Sequence, residues 1–257
     1  MPIGTRPRLG RVRIPVELTP ITDIVHFAHT DLVNWILVTD GMGVVIIDAG
    51  FPGQRPAVLE SVRRLGFEVD DIHAILLTHA HVDHLGTAIW FAKTHGTPVF
   101  CHSSEVGHAH REYLEQVSPI DLAAKAWHPR YLKWSLDIAR VGALTHDGIP
   151  TARALTAEVS AALPGTPTVV PTPGHTGGHC SYLVDGVLVS GDALITAHPV
   201  STITGPQLLP GLFNHDQDAC VRSLSALGML DTDVLLPGHG PVWRGPVADA
   251  TALALAR

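Results

Sequence analysis

The sequence predicts an α/β protein in which two β-rich halves, each covered by helices, form one layered domain. Three observations predict it. Apolar β-branched runs alternate with amphipathic stretches from residue 32 to residue 102. Strand-like runs return between residues 168 and 192 and again at 233–240. Hydrophobic residues make up 46% of the 257, which supports a substantial core and lies far from the disordered regime.

The elements follow in order. LVNWILV (32–38) and VVIIDAG (44–50) read as strands paired around Asp40-Gly41, a hairpin signal. In the next stretch Val58, Leu59, Val62 and Leu65 recur at helical spacing, with charges on the other side. HAILLTH (73–79) reads as a buried strand, LGTAIWFAKTHG (85–96) as a helix closed by Gly96, and TPVFCH (97–102) as a short strand. Residues 105–163 carry helical spacing broken by Pro119, Pro129, Gly142 and Pro150, which predicts three or four helices. TVVPT (168–172), CSYLV (180–184) and VLVSGD (187–192) read as strands, the last two joined by an Asp-Gly turn. After an irregular segment, residues 216–230 read as a helix capped by Asp216. DVLLPGHG (233–240) is a last strand and turn, and GPVADATALALAR closes the chain as a helix. No repeat or flexible linker interrupts this order. One domain over 1–257 is expected, with 105–163 as a helical insertion.

Composition narrows the function. A formal net charge of −7 without a long basic run disfavours binding to a phosphate backbone. Cys101, Cys180 and Cys220 form no CxxC pair, so the reading is a reducing compartment without a disulfide framework. The first twenty residues are basic but lack an apolar h-region, and no run of about 18 apolar residues marks a membrane span. The expectation is a cytoplasmic protein with a small-molecule substrate and neither a nucleic-acid nor a membrane partner.

The chemistry concentrates in LLTHAHVDHLG (76–86). With 17 histidines in the chain, single ones carry little weight and spacing must decide. If the backbone stays extended, His79 and His81 point to one side. Asp83 and His84 then sit where the following helix begins, able to face the same cavity. Imidazole and carboxylate suit zinc, and also iron or manganese. Four ligands on one turn cannot close two sites, so others are needed. They stand at three strand ends: His175 in TPGHTGGH, Asp192 in SGDAL, and His239 in LPGHGPV.

These motifs, together with Asp48 in VVIIDAG, resemble the metallo-β-lactamase superfamily in identity and order over residues 32–241. The resemblance implies a four-layer αββα sandwich with a dinuclear metal site at the edge of the two sheets. It implies that His79, His81 and His175 hold the first metal and Asp83, His84 and His239 the second. Asp192 would bridge both, and Asp48 would support the ligand loop. Two zinc ions would then carry a bridging hydroxide, the nucleophile, with Asp83 and Asp192 as the catalytic carboxylates.

The implied activity is hydrolysis of a small ester, lactone, thioester or amide. Secreted zinc β-lactamases often place a cysteine where Asp192 stands and carry export signals. Glyoxalase II enzymes add a helical domain after the last histidine, where this chain ends shortly after His239. Lactonases place a tyrosine soon after the bridging Asp, where Ala193, Leu194 and Ile195 follow. The family's RNA nucleases insert a domain between motifs that are too close here. The alternative class is a mononuclear iron oxidoreductase resembling persulfide dioxygenases, since the same ligand types serve it. The 105–163 insertion is expected to form a lid or pocket wall, with Trp127, Tyr131 and Trp134 facing the substrate. A homodimer contact and plain core packing are the alternatives. His198 and His215 flank a segment expected at the substrate mouth. His102 and His179 read as structural, and His108, His110 and His128 as solvated.

Overall fold

The computed structural model describes residues 15–257. Residues 1–14 of the expected domain, with most of the basic N-terminal stretch, lie outside the described residues. In chain order the first half runs β1 (Glu17–Pro20), β2 (Val25–His29), β3 (Trp35–Thr39), β4 (Val44–Ile47), α1 (Arg55–Arg64), β5 (Ile72–Leu76), α2 (Val82–His95) and β6 (Val99–Cys101). Then come α3 (Val106–Ala109), α4 (Pro119–Lys125), α5 (Pro129–Arg140), β7 (Arg153–Ala154) and α6 (Ala157–Ala161). The second half is β8 (Thr168–Pro171), β9 (Cys180–Val184), β10 (Val187–Gly191), α7 (Gln217–Leu227), β11 (Val234–Pro237), β12 (Trp243–Arg244) and α8 (Val247–Leu255).

Strands β1 to β7 form one sheet in sequence order, and β12-β11-β10-β9-β8 form a second. The alternation of side chains explains the layering. Ile36, Val38, Val45 and Ile47 point between the sheets, against Tyr182, Val184, Val189 and Leu236. Their neighbours Leu37, Val44 and Ile46 point outward and pack on Val58 and Val62 of α1 and on Leu85, Ala88 and Phe91 of α2. In the second sheet Leu188 and Leu235 point outward onto Leu224 and Leu227 of α7 and Val247 and Ala250 of α8. The central strands β3, β4 and β10 are buried on both faces because each face meets another layer. The result is the expected αββα sandwich.

The β3–β4 hairpin closes as Asp40 accepts from the backbone N–H groups of Met42 and Gly43. Gly96 ends α2 with φ +68°, a left-handed cap that glycine adopts without strain. Asp216 caps α7 by accepting from the Ala219 N–H.

Three features differ from the sequence reading. Strands β1 and β2 were not anticipated, because ELTP and VHFAH are short and carry no clear alternation. The 105–163 segment is not wholly helical: β7 pairs in parallel with β6 and extends the first sheet. Helix α2 begins at Val82, not Leu85, so Asp83 and His84 ride on its first turn. Among the described residues, no helix is long and apolar enough to cross a membrane.

Candidate metal centre

All the strand ends that carry motifs meet at one edge of the sandwich. Strands β4, β5 and β6 run parallel, as do β10 and β11, so their C-terminal loops emerge together. Asp48 follows β4, and the His79–His84 run follows β5. His175 lies in the loop from β8 to β9, Asp192 follows β10, and His239 follows β11. The structure brings the seven ligand candidates together in three overlapping groups: His79, His81 and His175; His79, His84 and Asp192; Asp83, His84 and His239. Within each group the donor atoms lie within 4.8 Å of one another.

Each of the five histidines turns one nitrogen away from the cluster, onto an acceptor. His79 Nδ1 reaches Thr78 Oγ1 at 3.1 Å, and His81 Nε2 reaches the Glu115 carbonyl. His84 Nδ1 donates to Asp48 Oδ2 at 2.8 Å, His175 Nδ1 to Asn214 Oδ1 at 3.0 Å, and His239 Nδ1 to the Leu32 carbonyl at 2.6 Å. An N–H held on an acceptor leaves the opposite nitrogen with a lone pair aimed inward. Asp48 also accepts from the Thr78 N–H and hydroxyl, both at 2.8 Å, which ties β4 to the start of the histidine run. Its φ is +60°, a conformation that few residues other than glycine, asparagine and aspartate adopt readily.

The inward atoms fit metal ions. His81 Nδ1 lies 3.0 Å from His79 Nε2 and 2.9 Å from His175 Nε2. A tetrahedral zinc would set its nitrogen ligands roughly 3.3 Å apart. Asp192 Oδ2 lies 3.4 Å from His175 Nε2 and 3.2 Å from His239 Nε2, while its Oδ1 faces His84 Nε2 at 3.5 Å. Asp83 Oδ2 lies 3.4 Å from His239 Nε2. His84 Nε2 and Asp192 Oδ1 are buried without a hydrogen-bond partner, an expensive arrangement for polar atoms unless a cation sits between them. Gly238 makes room for the cluster, since a Cβ there would stand 2.3 Å from Asp192 Oδ1.

Without metal the site divides electrostatically. Burial lowers His175 to about 3, reinforced by His81. It lowers His179 to about 4, and His198 to about 3 with His239 beside it. Burial works the same way on His239, but Asp192 and Asp83 outweigh it and raise the group to about 10. His84 is likewise raised, against burial, by Asp48, Asp192 and Asp83. An unfolded histidine titrates near 6.5. Below that value the unfolded chain binds more protons than folded His175, His179 and His198, so stability falls as pH drops. Above it, folded His84 and His239 keep protons that the unfolded chain has lost, so stability falls as pH rises towards 10. Chelator-treated protein is therefore expected to be most stable near pH 6.5. Urea unfolding at about pH 5, 6.5 and 8.5 checks this; stability still climbing between the last two would contradict it.

A model of the metallo-beta-lactamase superfamily matches residues 30–239, most of the chain. The chain belongs to the metallo-beta-lactamase superfamily. Within it, the probable metallo-hydrolase YflN of Bacillus subtilis is 31% identical over 212 residues, covering 76% of this chain and 75% of that protein. Hydroxyacylglutathione hydrolase of Xanthomonas campestris is 30% identical over 169 residues, 66% of this chain, and the match spans about half (49%) of that relative. A metallo-beta-lactamase from Cronobacter sakazakii shares the fold, with a TM-score of 0.63 at 18% identity over 95% of this chain and 93% of that one. The protein is a metal-dependent hydrolase of this superfamily, and its histidine and aspartate clusters suit the metal ions the superfamily binds.

Other expectations fare unevenly. Trp134 is buried and lines the cavity above the cluster, as does His198. Tyr131 does not line it; its ring lies over Phe213, with centroids 6.5 Å apart. Trp127 is 80% exposed and lies away from the cavity, because it sits in the turn between α4 and α5 and not on the inward stripe of either helix. His215 is also outside the cavity, beside Glu115. His108, expected in solvent, is fully buried, with Nδ1 2.7 Å from Glu105 Oε1. His179 is structural, accepting from the Asp192 N–H at 3.1 Å.

Sequence reasoning missed Glu105. Its carboxylate is buried and accepts from the Ala80 N–H at 2.8 Å and the Thr176 hydroxyl at 2.9 Å, joining the loops of His79, His81 and His175 from beneath. It also missed Asn214 and the carbonyls of Leu32 and Glu115. Backbone acceptors leave no signature in side-chain identity.

Proposed function

We propose that the protein is a dinuclear zinc hydrolase acting on the carbonyl of a small ester, lactone, thioester or amide. The observation that carries this reading is the convergence of two complete sets of inward donors that share Asp192. His79, His81 and His175 would hold one zinc, Asp83, His84 and His239 the other, with Asp192 between them. Bound there, the metals supply an activated water and a Lewis acid for the scissile carbonyl. A mononuclear iron centre would use only one of the sets and leave the buried carboxylate–imidazole group around His84 and His239 without a task.

The protein's own groups do the rest. Asp83 is the more open of the two cluster carboxylates, 17% exposed against 3% for Asp192, and both line the cavity. Asp83 is placed to take a proton from the attacking water and pass it to the leaving group. Asp192, held by its N–H on His179, keeps the two sets in register. His198 Nδ1 accepts from the Val200 N–H at 3.3 Å, which leaves Nε2–H as a donor. This ring lies 4.9 Å from that of His239 and lines the cavity. It can therefore donate to a substrate carbonyl oxygen. His198→Phe is expected to lower kcat by about 10²-fold at unchanged metal content, the loss typical of one oxyanion donor. Unchanged kcat would remove His198 from this role.

The reading is tested by stripping the protein with chelator and restoring zinc or iron separately. Hydrolysis of ester, lactone and thioester substrates should return with zinc. Oxygen uptake on a persulfide that returns only with iron would overturn it.

A further inference from the structure

A cavity of about 590 Å³ opens at His81, Asp83, His175, Asp192 and His239 and runs beneath the α4–α5 hairpin. Its size suits a drug-sized ligand. The far wall is apolar. Leu122 comes from α4, and Trp134 and Ile138 come from the inward stripe of α5. Leu209 and Phe213, from the segment before α7, face them. These residues belong to a hydrophobic cluster of their own, separate from the three that hold the sheets and helices together. The Trp134 ring meets both Phe213 and His198 edge-on, at 5.5 and 5.3 Å, so the apolar wall is continuous with the donor beside the metal ligands.

The charge of the lining is as informative as its shape. Among the described residues, no Asp, Glu, Lys or Arg other than the ligand candidates Asp83 and Asp192 lines the cavity. Besides the ligand candidates, the polar lining is Gln116, Ser135, Thr145, His146 and His198. A carboxylate or phosphate on the distal part of a substrate would lose its water and find no Lys or Arg among the described residues, at a cost that such sites avoid. An alkyl or acyl chain would instead exchange water for Trp134, Ile138 and Phe213, gaining with every methylene buried.

We propose that the substrate is a neutral ester or lactone with a long apolar acyl chain, the carbonyl at the metal-ligand end and the chain in the α4–α5 cavity. The proposal rests on the hydrolase reading above. In the reaction, water adds to the acyl carbon and the bond from that carbon to the alkoxy oxygen breaks. The alkoxy oxygen takes a proton, and the acid product ionises, so each turnover releases one carboxylate, one alcohol and one proton.

The test is a chain-length series on the zinc-loaded protein: butanoyl, hexanoyl, octanoyl and decanoyl esters of one alcohol, each paired with its ω-carboxylate analogue. kcat/KM is expected to rise by up to roughly fourfold per methylene until the cavity is filled, the equivalent of about 0.8 kcal/mol each. The ω-carboxylate should erase that gain. Ala126→Trp, at the C-terminal end of α4 on the cavity lining, should cut the decanoyl-to-butanoyl ratio by about tenfold or more; Ala139→Trp, on the same lining, is the second variant should the first fail to fold. Hydrolysis that is flat with chain length, or that accepts the ω-carboxylate equally, overturns the proposal and leaves the hydrolase reading standing. If a thioester or amide is cleaved but no ester or lactone, the proposal fails and the hydrolase reading stands; if none of the four is cleaved, that reading fails, and calorimetry with inert ketones decides the cavity separately. Binding of 2-undecanone at least about tenfold tighter than 10-oxoundecanoate supports a neutral apolar ligand. Equal binding, or none, overturns it.

Discussion

Replacing Asp192 with alanine is expected to lower kcat/KM by about 10³-fold or more and to leave at most one tightly held metal per chain. Among the described residues, no other carboxylate faces both halves of the cluster. Its two oxygens lie 3.2–3.5 Å from the inward nitrogens of His84, His175 and His239. It is also the larger of the two carboxylate influences, with Asp83, that raise His239 to about 10 without metal, so its loss weakens the field that makes the site attractive to cations. Alanine leaves the five inward nitrogens with only Asp83 to balance two dications. Single-turnover and steady-state assays with metal analysis of the same sample read the outcome. Full activity with two metals retained would refute the shared-ligand assignment.

Glu105→Ala is expected to destabilise the protein by about 3–5 kcal/mol, the usual cost of removing one partner from a buried charged network. The Ala80 N–H, the Thr176 hydroxyl and His108 Nδ1 would each lose a buried acceptor. Burial works against the Glu105 carboxylate, but His108 and these donors more than offset it and hold the group below its ordinary value, so they favour the ionised form. Ala80 lies between two ligand candidates and Thr176 follows a third, so zinc affinity should fall by roughly 10–100-fold as well. Glu105→Gln keeps one acceptor oxygen and should recover part of both losses. Urea unfolding and zinc titration measure them. A change under about 1 kcal/mol would mean that solvent or neighbouring groups replace the carboxylate.

The contrast between these two residues marks what the sequence makes legible. Asp192 stands at the end of a strand whose residues are buried on both faces, in a short motif that names both the element and the ligand. His79 and His239 likewise follow mostly buried strands, and His175 follows the partly exposed TVVP run. Strands β3, β4, β5 and β10 were legible because burial between two layers enforces continuous apolar runs. Glu105 gives no comparable sign. Its partners lie 25 and 71 positions away, and a glutamate after two serines reads as an ordinary surface turn. Trp127 fails for a related reason. Its spacing to Tyr131 and Trp134 looks helical, but the helix starts at Pro129, so the period does not extend back to it. The two-residue strand β7 is too short to show any pattern and exists through its pairing with β6.

Metal analysis of protein purified without added metal, combined with anomalous scattering from its crystals at the zinc edge, tests most directly whether the seven side chains form one two-zinc site. The expected result is two zincs per chain, one among His79, His81 and His175, the other among Asp83, His84 and His239, with Asp192 touching both. A single iron per chain, with the Asp83–His84–His239 group left empty, would contradict it.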